Sequence, residues 1–196
     1  MHSRRENGFS LIELLVVIAI VALLMSYASV AISSVINGSE MERAGQAVAD
    51  AVKLARQEAV SKNRETQLAI FELPLDAEGP KGLRGFEIWR VDETPTGLVT
   101  NRVTRLQKLP PQIVISEDSS LSPLLSTAAQ GTTNAAGQAN LKYKTLRFRS
   151  NGMLPGASGA TNFFTVQSAR AKGFPPENYF TILINPLTSK VTTIRP

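Results

Sequence analysis

From Leu14 to Ser39 the chain carries no charged side chain. That run exceeds the roughly 20 residues a helix needs to cross the hydrocarbon core of a bilayer. In lipid only a helix or a closed barrel satisfies its own backbone polar groups, so a single run of this kind is expected to be helical. Arg4 and Arg5 precede it, and by the positive-inside rule they stay cytoplasmic and send the rest of the chain outward. A conventional secretory signal would be cut at a small-residue site after its apolar segment. Val30, Ala31, Ile32 and Ser33 offer only a poor version of such a site, and the run is too long for an ordinary signal core. The segment is therefore expected to be retained as a membrane anchor.

Glu13 sits oddly at the start of this segment. A charged group near the centre of a spanning helix costs about 2.5 to 3.5 kcal/mol, less toward its end, so the carboxylate needs a cation. Beyond the apolar run, Met41, Ala44, Val48, Ala51, Val52, Ala55 and Ala59 recur at spacings of three and four. This marks one face of a helix, expected to run to about Ser61 and to pack its small residues on a sheet. From Phe9 such a helix would be roughly 80 Å long at 1.5 Å per residue. Asn37-Gly38 is its weakest point, since Gly costs about 1 kcal/mol relative to Ala, and a break or bend is expected there.

After Lys62-Asn63 the pattern changes to short segments rich in β-branched and aromatic residues. Strands are expected at residues 67–73, 86–91, 112–116, 145–149, 163–167, 179–184 and 190–194, the last two joined by a turn at 185–189. Residues 117–140 are dominated by small and polar side chains around Leu121, Leu124 and Leu125, and are expected to form a flexible exposed loop. The fold class is thus α+β, a long N-terminal helix followed by an antiparallel β domain. Its expected divisions are a polar leader over 1–8, a transmembrane and assembly helix over 9–36, an amphipathic continuation over 37–62 and a β-rich domain over 63–196.

Composition narrows the chemistry. The chain has no cysteine, and His2 is its one histidine, so thiol nucleophiles and zinc-thiolate sites are excluded. The acidic pairs Asp92-Glu93, Glu117-Asp118 and Asp76, Glu78 stand without a phosphate loop, a Ser-x-x-Lys pair or calcium-loop spacing. They read as turn and surface residues, and no enzymatic role, cofactor or metal is expected.

The junction Gly8-Phe9-Ser10-Leu11-Ile12-Glu13-Leu14-Leu15 resembles the leader junction of type IV pilins, type II secretion pseudopilins and related prepilins. The resemblance implies that a membrane prepilin peptidase cuts between Gly8 and Phe9 and methylates the new Phe9 amine. Gly8 suits that position because it has no Cβ and allows close backbone approach. The resemblance also supplies the cation for Glu13, the terminal amine of a neighbouring subunit, which would make Glu13 a device for assembly register. Without the leader's Arg4, Arg5 and Glu6, the chain's 21 basic and 16 acidic side chains become 19 and 15, a mild excess of +4.

The stretch from Ala49 to Arg64 is similar to the helix end of FimT/GspH-type minor pilins and pseudopilins. Leu146 to Gly152, Asn178 to Pro186 and the terminal Ile194-Arg195-Pro196 resemble the prepilin-like Verru_Chthon cassette protein D family. Members of the FimT/GspH group often end in a hairpin containing Gly-Arg, whereas this chain reads Thr188-Ser189-Lys190. Arg147, Arg149, Lys190 and Arg195 are the candidate contacts for nucleic acid if they form one basic patch. The leading expectation is a structural subunit of a type IV pilus or a type II secretion filament. Its partners would be prepilin peptidase, other pilin or pseudopilin subunits and inner-membrane lipid, with its C-terminal domain periplasmic. The alternative is a membrane-anchored module that captures extracellular DNA or a secreted substrate.

Overall fold

The computed structural model describes residues 10–75, 80–95, 97–135, 137–155, 161–185 and 187–195; the side chains of residues 27–37 lie outside the description. The chain divides into two compact units, Met1–Ser39 and Glu40–Pro196.

Helix α1 runs from Leu11 to Lys62 and contributes to both units. It is continuously helical through Asn37 and Gly38. In the first unit the apolar side chains surround the helix axis and are exposed, from Leu11 at 82% to Met25 at 68%. Among the described residues no helix is long and apolar enough to cross a membrane. Leu11–Ser26 covers only about 24 Å at 1.5 Å per residue, against a core of roughly 30 Å.

In the second unit the helix buries the predicted stripe. Met41, Ala44, Val48, Ala51, Val52, Ala55 and Ala59 all lie in the core, joined by Ala49. Gly45 lies where the helix comes nearest the sheet, since a Cβ built there would stand 2.3 Å from Cγ of Phe180. The helix stops at Asn63, whose φ of 51° is left-handed. The amides of Asn63 and Arg64 donate to the carbonyls of Val60 and Ala59, which satisfies acceptors that the helix end would otherwise leave open.

The sheet comprises β1 (Glu65–Pro74), β2 (Lys81–Thr94), β3 (Gly97–Arg102), β4 (Gln107–Lys108), β5 (Ile113–Ile115), β6 (Ala129–Ala135), β7 (Gln138–Phe148), β8 (Phe163–Ser168), β9 (Tyr179–Ile184) and β10 (Val191–Ile194). A one-turn helix α2, Pro123–Ser126, precedes β6. The strand order is β10-β9-β8-β5-β2-β1-β7-β6, with β3 and β4 also paired to β2. Every pairing is antiparallel.

Strand β1 explains why its sequence reads as an unbroken apolar run rather than an alternation. Leu68 and Ile70 belong to the core under α1, while Ala69, Phe71 and Leu73 belong to a second cluster with Trp89 and Leu141. Side chains alternate across a strand, so the two sets lie on opposite faces of the sheet. In the second cluster Phe71, Trp89 and Tyr143 meet with centroids 4.9 to 5.8 Å apart, the edge and tilted geometry that aromatic quadrupoles favour.

The expected flexible loop over 117–140 is corrected. Leu124 and Leu125 are buried in α2, and residues 129–135 pair with β7, which begins at Gln138. Ser122 is fully buried, and its Oγ accepts from the Thr165 amide of β8 at 3.1 Å, pinning the segment to the sheet. Strands β3 and β6 escaped notice for one reason. Their side chains are mostly exposed, so backbone pairing with β2 and β7 holds them and no apolar alternation marks them.

Candidate functional site

The candidate site is the start of α1. Gly8 and Phe9, the expected cleavage and methylation positions, lie outside the described residues. Ser10 and Glu13 follow directly, and they bond reciprocally. The Ser10 amide donates to Glu13 Oε2 at 3.0 Å, and the Glu13 amide donates to Ser10 Oγ at 3.2 Å. This is a capping box: the four leading amides of a helix lack partners within it, and a Ser-x-x-Glu pair satisfies two donors at its start. The first helical bond, from the Leu14 amide to the Ser10 carbonyl at 3.2 Å, closes beside it. Sequence analysis singled out Glu13 for assembly and passed over Ser10. The Ser-x-x-Glu spacing ahead of an apolar run was the signal that would have found it.

The capping box gives Glu13 a local partner. One carboxylate oxygen is engaged by the backbone two covalent links from Phe9, so the negative charge is held at the helix start, where the positive end of the helix dipole also favours it. Around it Leu11, Ile12, Leu14 and Leu15 are exposed by 56% or more.

The four basic residues proposed as one patch are not brought together. Arg147 lies between Leu146 and Phe148, which face α1, so it projects from the opposite face, where it pairs with Glu65. Arg149 follows just beyond β7 and is exposed. Lys190 and Arg195 flank β10 at one edge of the sheet, with five strands between β10 and β7 along the strand order. Arg195 turns to the helix side and pairs with Glu42. Two of the four cations are thus engaged by carboxylates, and they lie on opposite faces.

Among the described residues the acidic pairs bond to their own surroundings. Asp92 accepts from Arg90 Nε at 3.0 Å and from Asn101 Nδ2 at 2.7 Å, and these bonds hold its carboxyl below the ordinary value of 3.8. Glu117 lies 3.6 Å from Lys144 Nζ, and Asp118 Oδ1 accepts from the Ser120 amide at 2.7 Å in a local turn. Asp76 and Glu78 lie outside the described residues. Among the described residues no three His, Cys, Asp or Glu side chains converge as metal ligands would.

Two buried charges were missed. Glu87 of β2 is 2% exposed and meets Arg102 of β3 at 3.0 Å, a contact of charges rather than an aligned hydrogen bond. Arg102 also donates to the Asn134 carbonyl at 2.8 Å, joining the β2–β3 hairpin to β6. Arg84 donates to the carbonyls of Pro74, Leu75 and Leu109, clamping three chain segments. Neither forms a recognisable motif in the sequence, because the partners lie far apart in the chain.

Comparison with known proteins places the distinguishing feature at the N-terminus. Residues 3–29 match the family model of the prokaryotic N-terminal methylation motif. No protein of curated function matches the chain significantly in sequence. Among solved structures it is similar to the minor pseudopilin EpsH from the type 2 secretion system of Vibrio cholerae, at 13% identity and a TM-score of 0.42, over 80% of this chain and 98% of that one. That likeness is too loose to carry function. Residues 3–29, with Ser10 and Glu13 inside them, thus bear the prokaryotic N-terminal methylation motif.

Proposed function

We propose that this chain is a minor pilin-like or pseudopilin-like subunit, held in the inner membrane by residues 9–36 and assembled into a filament through the same helix. The observation that carries this reading is the methylation motif over residues 3–29, set on a helix whose apolar side chains are exposed on every side from Leu11 to Met25. A helix apolar all round has no favourable state in water and requires lipid or other helices around it. The apolar sequence continues through residues 27–36, which extends the run to a length that spans a bilayer. Prepilin peptidase cuts after Gly8 and methylates Phe9. Glu13 then faces the terminal amine of a neighbouring subunit and sets the register of packing, while its capping bond to Ser10 keeps the carboxylate at the helix tip.

Mass analysis of the N-terminal peptide of membrane-extracted protein tests this. A chain beginning at methylated Phe9 is expected, and one beginning at Met1 refutes the reading. Glu13→Ala is expected to be processed normally and to enter filaments poorly; undiminished entry removes the role given to Glu13.

A further inference from the structure

A cleft of about 780 Å³ lies between the last turns of α1 and the β9–β10 turn. Lys53, Arg56 and Val60 line it from the helix, and Ser189, Lys190 and Val191 line it from the turn. Three cations, Lys53, Arg56 and Lys190, therefore line one cleft, and Asp50, 2.9 Å from Lys53 Nζ, offsets one of them.

Two polar atoms at this cleft are buried without a hydrogen-bond partner, Arg56 Nε and Ser189 Oγ. Ser189 is 1% exposed, and its φ of 49° lies in the left-handed region that glycine or asparagine adopts more readily. The turn thus holds a serine against two costs, backbone strain and an unsatisfied hydroxyl. Arg56 is confined from the other side, where a Cβ on Gly152 would stand 3.4 Å from its Nε. Both unpartnered atoms carry a hydrogen to donate, and both belong to residues that line the cleft with Lys53 and Lys190, so an anionic acceptor is the partner their chemistry favours.

We propose that this cleft binds a carboxylate carried on an aliphatic stem, the acidic side chain of a peptide partner. Arg56 Nε–H and Ser189 Oγ–H donate to its oxygens, Lys53 and Lys190 supply opposing charge, and Val60 and Val191 pack against its methylenes. Duplex nucleic acid presents a charge about every 1.7 Å along its axis and calls for a track of cations. Here three cations line one bounded cleft together with Val60 and Val191, which suits a carboxylate on an aliphatic stem better than a continuous backbone. The site involves no residue of the N-terminal motif and stands independently of the filament reading.

The test uses the full chain in detergent micelles and a rhodamine-labelled hexapeptide of alternating alanine and glutamate, followed by fluorescence anisotropy. Saturable binding is expected, with the glutamine counterpart at least about ten-fold weaker, as loss of charged hydrogen bonds implies. Lys190→Gln is expected to weaken binding with an unchanged melting temperature. Ser189→Gly is expected to weaken it while the melting temperature holds or rises, because glycine relieves the strained φ. Equal affinity for the glutamine peptide, wild-type affinity in both variants, or no saturable signal overturns the proposal. Tighter binding of a hexathymidylate probe than of the acidic peptide overturns it in favour of nucleic acid.

Discussion

The two ends of helix α1 solve opposite problems. Leu11 to Met25 is built of large aliphatic residues, and all those described are exposed. Met41 to Ala59 buries a narrow stripe made mostly of alanine and valine, and leaves Lys53, Gln57 and Glu42 to water or the surface. Small side chains let a backbone come close to a sheet, as Gly45 does against Phe180, so the second segment is completed within its own unit. The described apolar side chains of the first segment stay exposed, and under the proposed function they are covered by lipid and neighbouring subunits, whereas the second segment packs on the sheet that follows it in the chain. The acids on the two segments differ in the same way: Glu13 is held by its own first turn, and Glu58 lies 3.8 Å from Arg90 of β2.

The largest test of this contrast places one substitution in each segment. Val52 is fully buried, so Val52→Asp strands a carboxylate in the core and is expected to cost about 4 kcal/mol or more in thermal unfolding. Val17 is half exposed, and Val17→Asp is expected to leave that transition within about 0.5 kcal/mol while abolishing membrane retention. Equal thermal effects would break the comparison. Gly45→Ala comes next: its methyl group collides with the Phe180 ring, and overpacking of this kind is expected to cost about 1 to 3 kcal/mol by denaturant titration.

Ser10→Ala removes the capping box and is expected to cost about 1 kcal/mol at the first turn. The effect should appear as faster amide hydrogen exchange over Leu11 to Leu15, with no change in the unfolding of the second unit. The smallest effect concerns the polar contact between β2 and the end of α1. Asp92 has its carboxyl held below 3.8 in the folded state, so its contribution is present above that value and is lost as pH falls further and the group protonates. Asp92→Asn is expected to flatten the fall in stability below about pH 4, as followed by circular dichroism. An unchanged acid slope would mean that the bonds of Asp92 to Arg90 and Asn101 add nothing to stability.

The sequence alone determined the helix, because its signals are local. An apolar stripe repeats every three or four residues, a Ser-x-x-Glu pair opens it, and Asn63 closes it one residue beyond the expected end. It determined the central strands for the same reason, since Phe163–Ser168 and Tyr179–Ile184 carry β-branched and aromatic side chains that mark a buried sheet. The prepilin junction was also legible, being eight consecutive residues of specific type.

Only the tertiary structure decided the rest. Strands β3 and β6 exist because each folds back as a hairpin on a strand already held in the sheet, β2 and β7, and β7 begins well before its apolar portion because β6 pairs along it. Arg147 of β7 and Arg195, just beyond β10, come to lie on opposite faces, each beside a carboxylate. Alternation and strand order set that outcome, and neither is encoded in the residues themselves. The unsatisfied hydroxyl of Ser189 belongs to the same class: its burial and strain arise where the end of a helix meets a hairpin more than a hundred residues later in the chain. Local chemistry specifies elements, and long-range packing specifies which of their side chains meet.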